Sequence, residues 1–179
     1  MPTRVEGFAP LWRPDARILV LGSMPGVASL TAGRYYAHPR NAFWVIVDAA
    51  LGVPHGLGYR ARTRALCAAG VAVWDVVRGC RREGSLDAAS RDVEANDVQA
   101  LVRRSPDLRA IFCNGQAARS LLTRSGQDAA IGLPIVRLPS TSPAHAAMPV
   151  DEKIRVWSTA LREHGLAGAH PEHRRIGPG

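Results

Sequence analysis

Apolar residues gather into four short runs, each closed by a polar or turn-forming residue. Arg17-Ile18-Leu19-Val20-Leu21 stops at Gly22, Val71-Ala72-Val73-Trp74 at Asp75, Ala110-Ile111-Phe112-Cys113 at Asn114-Gly115, and Ile135-Val136-Arg137-Leu138 at Pro139. Runs that are short and continuous, rather than alternating, predict strands buried on both faces of a parallel sheet. Helical stretches lie between them, over Ala42–Leu51, Thr63–Ala69, Val93–Arg104 and Ala117–Ser125, and Asp151–Glu163 follows the last run. Such alternation predicts an α/β fold, a parallel sheet with helices on both faces.

Capping signals set the helix ends. Asp92 precedes Val93, Ser105-Pro106 stops that helix, and Pro149 leads into Asp151-Glu152, whose acids suit a helix start. No repeat or linker divides the chain, so residues 1–169 read as a single domain and 170–179 as a flexible tail. Ligands of an open parallel sheet bind beyond the carboxyl ends of its strands. That directs attention to Gly22–Asn41, Trp74–Asp87, Asn114–Gln116 and Pro139–His145.

Composition narrows the classes. With 179 residues, 46% hydrophobic and 21% charged, the chain has the makings of one packed core, which excludes disordered and collagen-like readings. No apolar run nears the ~18 residues of a membrane span, and Met1–Glu6 lacks a signal peptide's hydrophobic core, so a soluble, cytoplasmic protein is expected. Cys67, Cys80 and Cys113 are too few for a four-thiolate cluster and too scattered for a disulfide framework. The histidines show no zinc spacing, and His170 and His173 fall in the Pro/Gly-rich tail. Net charge is +8, enough to attract a polyanion such as nucleic acid. Lys153 is the sole lysine among many arginines, a bias that genome composition alone can produce.

Chemistry-bearing residues concentrate in the same loops. Gly22-Ser23-Met24-Pro25-Gly26 is a tight turn without a P-loop lysine or dinucleotide fingerprint. Tyr35-Tyr36-Ala37-His38-Pro39-Arg40-Asn41-Ala42-Phe43-Trp44 packs aromatics, an amide and cations into a loop entering a helix. Aromatic faces stack bases, and amides read base edges or hold water. Asn41 also stands where a helix N-cap belongs, Phe43 and Trp44 suit the core, and two adjacent tyrosines are hard to bury together. Pro139-Ser140-Thr141-Ser142-Pro143-Ala144-His145 offers hydroxyls for phosphate contacts, or forms a plain Ser/Pro turn. Asp75 could cap the segment after it, and Asn114-Gly115 is a common turn pair. A serine hydrolase's G-x-S-x-G is absent.

Together these segments, with Trp74-Asp75-Val76 and Gly84-Ser85-Leu86-Asp87, resemble the uracil-DNA glycosylase superfamily from about Arg17 to Trp157, most closely its hypoxanthine-DNA glycosylase (DNA-deoxyinosine glycosylase, family six) branch. The resemblance implies a three-layer α/β/α sandwich around a four-stranded parallel sheet. It also implies an enzyme that flips a deaminated base, hypoxanthine or else uracil or xanthine, out of DNA and hydrolyses its N-glycosidic bond. Two positions depart from relatives in the superfamily: Met24 replaces the asparagine of G-I-N-P-G, and Leu138 replaces the histidine of H-P-S. In the branch resembled, the water-positioning amide belongs to the A-H-P-x-N segment, which is Asn41 here.

On that resemblance Asn41 is the catalytic residue. Tyr36, Ser23, Met24, Asp75 and Asn114 bind the base. Gly26, His38, Ser140, Thr141, Ser142, Ala144 and His145 contact the DNA, with His145 filling the gap left in the stack. No metal or cofactor is implied, damaged DNA is the partner, and a monomer is expected. The competing readings are a non-catalytic nucleic-acid-binding module, which charge and aromatics suit equally, and a phosphoester or acyl hydrolase, for which no carboxylate cluster or activated serine is visible.

Overall fold

The four apolar runs do form parallel strands. A computed structural model describes residues 3–82 and 91–167, so Gly84–Asp87 and the expected tail at 170–179 lie outside the described residues. In chain order the elements are β1 (Thr3–Glu6), β2 (Ile18–Gly22), α1 (Val27–Ala32), α2 (Phe43–Leu51), α3 (Tyr59–Ala68), β3 (Val71–Asp75), β4 (Val77–Arg82), β5 (Arg91–Ala95), α4 (Val98–Arg103), β6 (Ala110–Asn114), α5 (Gln116–Arg124), α6 (Asp128–Ile131), β7 (Ile135–Leu138) and α7 (Val150–Glu163).

The central sheet has strand order β3-β2-β6-β7, with every pairing parallel. Strand side chains alternate between faces, and the core divides accordingly. Ile18, Val20, Val71, Val73, Ala110 and Phe112 pack with α2, α3 and α7 through residues such as Phe43, Leu66 and Trp157. Leu19, Leu21, Ala72, Ile111 and Cys113 pack on the other face with Leu101, Leu122 and Ile131 of α4, α5 and α6. The result is a three-layer α/β/α sandwich, as expected. No helix among the described residues is long and apolar enough to cross a membrane.

A second, antiparallel sheet of order β1-β4-β5 was not expected. It also corrects the helix read over Val93–Arg104. Its first part is strand β5, paired with β4 through Val77↔Ala95 and Gly79↔Glu94, and the helix begins only at Val98. The cap is Asp97, whose Oδ1 accepts the Ala100 N–H at 2.8 Å, rather than Asp92. Pairing with a neighbouring strand overrides local helix propensity here. Helices α1 and α6 also went unread, being a turn or two long.

Candidate functional site

The parallel register sets Gly22 beside Asp75, and Asn114 follows Cys113, the partner of Leu21. Gly22 therefore lies between an aspartate and an asparagine at the carboxyl edge of the sheet, the two outer strands being about 10 Å apart. All three positions share the parity of Val20, Val73 and Phe112, so they face the α2/α3/α7 layer. The Asp75 carboxylate occupies the space a Cβ on Gly22 would need, and the Tyr36 hydroxyl lies 3.7 Å from that point. Asn114 Nδ2 donates to Tyr36 Oη at 3.3 Å and to Thr141 Oγ1 at 3.0 Å. One amide thus ties the β6 edge to both the aromatic loop and the loop after β7.

Tyr36 holds a left-handed backbone (φ 53°), which a non-glycine residue adopts only under constraint. Its ring is stacked on Phe43, with centroids 4.1 Å apart and planes 26° from parallel, and its remaining surface lines the cavity described below. Burial, then the nearby Asp75 charge, pushes the phenol's pKa well above its ordinary value, so the hydroxyl stays protonated. The paired tyrosines resolve unequally. Tyr35 is a core residue, 4% exposed, whose hydroxyl donates to the Ala9 carbonyl at 2.9 Å, while its backbone N–H donates to Tyr59 Oη at 3.0 Å. Phe43 and Trp44 are buried as expected.

Asn41 is two residues before the first residue of α2, and its Oδ1 accepts the Phe43 N–H at 3.0 Å. The cap position itself is Ala42, which makes no side-chain bond, so Asn41 stands one residue outside it and satisfies the first N–H of the helix from there, while its side chain also lines the cavity. An amide oxygen has two lone pairs and its nitrogen two donors, so one capping bond leaves most of its capacity for a ligand. The turn after β2 is pinned by Val76 N–H to Gly22 O (2.9 Å) and Val77 N–H to Ser23 O (3.0 Å). Met24 packs beneath it with Val77 and Cys80, whose thiol contacts the Met24 sulfur at 3.2 Å. Gly26 has ordinary dihedrals, and a Cβ there would meet nothing within 4 Å. The fold itself does not require that glycine, whereas an approaching backbone would. His38 is half-buried, and its Nδ1 accepts the Arg40 N–H at 3.1 Å.

Beyond β7, Thr141 is buried and doubly held: its N–H donates to Asn114 Oδ1 (2.9 Å) and its carbonyl accepts from Ala42 N–H (3.0 Å). Ser140 Oγ accepts the Ser142 N–H and Ser142 Oγ the Ala144 N–H, which shapes a turn whose Ala144 and His145 are exposed. Gly115 (φ 95°, ψ 172°) sits against this loop, where a Cβ would lie 2.8 Å from Ser140 Cβ.

These pieces enclose a cavity of about 590 Å³ at the carboxyl end of the sheet, within the size range of ligand clefts. Every site residue expected from the sequence lines it: Asn41, Tyr36, Ser23, Met24, Asp75, Asn114, Gly26, His38, Ser140, Thr141, Ser142, Ala144 and His145. Ser29 and Gln116 also line it and were missed. Ser29 Oγ accepts the Ala37 N–H at 3.2 Å, a loop contact that no sequence spacing signals. Among the described residues no three His, Cys, Asp or Glu side chains converge as metal ligands.

Residues 9–161 match the model of the uracil DNA glycosylase superfamily. A hypoxanthine DNA glycosylase of Methanosarcina acetivorans is 34% identical over 161 residues, covering 88% of this chain and 98% of that protein. Another of that name, from Methanosarcina barkeri, is 34% identical over 112 residues, covering 62% of this chain and 71% of the relative. The solution NMR structure of a candidate uracil DNA glycosylase from Methanosarcina acetivorans superposes with a TM-score of 0.78 at 29% identity, over 90% of this chain and 99% of that one.

Proposed function

The chain belongs to the uracil DNA glycosylase superfamily, and on that premise we propose that it excises hypoxanthine from DNA, with uracil and xanthine as further substrates, leaving an abasic site. The observation that carries this reading is the convergence of Asp75, Tyr36 and Asn114 over Gly22, with Asn41 on the wall of the same cavity. A base cannot be reached inside a duplex, so the nucleotide is extruded into the cavity, and its ring lies against Tyr36, itself backed by Phe43. Asp75 and Asn114 present a carboxylate and an amide to the base edge, and the turn from Ser23 to Met24 closes around it.

Asn41 holds the attacking water on the sugar. Positive charge builds at C1′ as the glycosidic bond breaks, water adds there, and the base leaves with the bonding electrons and takes up a proton. Ser140, Thr141 and Ser142 hold flanking phosphates, while Gly26 and His38 line the approach of the strand. The exposed Ala144-His145 turn stands beside the gap in the stack. Charge of +8 favours the encounter with DNA.

The test is a set of duplex oligonucleotides, each bearing one hypoxanthine, uracil or xanthine, incubated with the protein and then heated in alkali. Strand scission at hypoxanthine is expected. A protein that excises none of these bases refutes the reading.

A further inference from the structure

Helix α7 carries an anomaly in its buried stripe. Lys153, Trp157, Ala160 and Leu161 are its buried residues, at i, i+4, i+7 and i+8, positions that apolar side chains normally fill. Lys153 is only 3% exposed. Its Nζ donates to the backbone carbonyl of His145 at 2.8 Å. One turn further along the same face, Trp157 Nε1 donates to the carbonyl of Pro139 at 2.9 Å. A single rigid helix therefore grips both ends of the loop Pro139–His145. The middle is held by other elements, where Thr141 bonds Asn114 at the end of β6 and Ala42 at the start of α2.

An apolar side chain at 153 would pack there without desolvating a charge. Among the described residues no carboxylate forms an ion pair with Lys153, and burial pushes its pKa below the ordinary lysine value. A buried ammonium without a counter-charge destabilises a fold. What it provides in exchange is a directed bond to the last residue of the exposed turn, where a leucine or methionine would leave the His145 carbonyl unheld.

We infer that Lys153, with Trp157, is a positioning residue that holds the loop Pro139–His145 in the shape that grips DNA around the extruded nucleotide. The inference rests on the glycosylase reading above. Lys153 does not touch substrate; it acts through the loop. Loop contacts to phosphates are made equally before and during bond cleavage, so loosening the loop weakens binding and leaves the chemical step alone.

Two measurements on the full chain test this. In Lys153→Met, which keeps length and packing but removes the donor, amide hydrogen exchange of Thr141–Ala146 accelerates while the sheet strands exchange as in wild type. On hypoxanthine duplex the same variant raises KM about tenfold, the loss of one such grip, with kcat within about twofold. Lys153→Arg, which retains a donor, recovers part of the KM. Wild-type exchange and KM in Lys153→Met overturn the inference, as does a fall in kcat at unchanged KM or faster exchange without a change in KM. If Lys153→Met exchanges faster throughout, Trp157→Phe, which removes the other donor and keeps a ring, decides by the same two readouts. A wild-type protein that excises no base refutes the function and leaves the exchange comparison to decide the tether.

Discussion

Replacing Asn41 separates the chemistry of the site from the stability of the helix it introduces. In the folded chain its Oδ1 accepts the Phe43 N–H at 3.0 Å, so Asn41→Ala removes a capping bond and leaves a first-turn amide without that partner. Such a loss costs about 1 kcal/mol, within a range of about 0.5–2. For a chain of this length that lowers Tm by about 2–4 °C per kcal/mol. A small drop in Tm therefore accompanies the alanine variant whichever role the side chain has, and melting alone decides nothing. The discriminating variants are those that keep the cap. Asn41→Asp retains an acceptor and adds negative charge at a helix amino terminus, worth about 0.3–1 kcal/mol, so its Tm matches or exceeds wild type. Asn41→Ser also caps, through a shorter side chain that withdraws its oxygen from the cavity. In single-turnover excision of hypoxanthine from a duplex oligonucleotide, Asn41→Ala and Asn41→Ser should fall by about 10²–10⁴-fold, while Asn41→Asp keeps measurable activity because a carboxylate still binds water. Asn41→Ser melting like wild type and excising within about threefold of wild type would refute the catalytic role and turn attention to Asp75 and Asn114.

Three further outcomes follow from the geometry. All three tyrosines, Tyr35, Tyr36 and Tyr59, have pKa values raised above 10.0, in each case chiefly by burial; ultraviolet titration of the folded protein should show less tyrosinate at pH 10 than the unfolded chain does, and stability should be fully present below that pH and fall above it as the unfolded chain's tyrosines ionise, so a tyrosine titrating normally at 10 contradicts the packing. Gly115→Ala forces a Cβ against Ser140 at a backbone conformation that is essentially glycine's own, and should lower stability by about 1–3 kcal/mol in chemical denaturation; an unchanged midpoint and slope would contradict it. Lys153, the sole lysine, is buried against the His145 carbonyl, so it forms no Schiff base with an abasic sugar, and borohydride should trap no adduct at this residue; a trapped Lys153–DNA peptide identified by mass spectrometry shows otherwise.

Much of this architecture was written in local pattern. Ile18–Gly22 is buried at every position, and a strand covered by helices on both faces must be apolar throughout, which makes it visible as an uninterrupted run. Two residues that end such runs, Asp75 and Asn114, were legible as site candidates for the same reason, because a parallel sheet delivers all its strand ends to one edge. Three features needed the folded chain. The β1-β4-β5 sheet joins segments far apart in sequence, Thr3 opposite Arg82, and its strands are largely polar, so neither hydrophobic run nor local propensity announces it. Which of two adjacent tyrosines enters the core depends on Ala9 and Tyr59, contacts contributed by other parts of the chain. Lys153 reads locally as one more charge on an amphipathic helix, and only docking of α7 beneath the loop after β7 turns it inward to the His145 carbonyl. Burial within an element is governed by neighbours a few residues away, which sequence displays; the partner of a polar group is governed by elements brought together in space, and only the tertiary structure decides it.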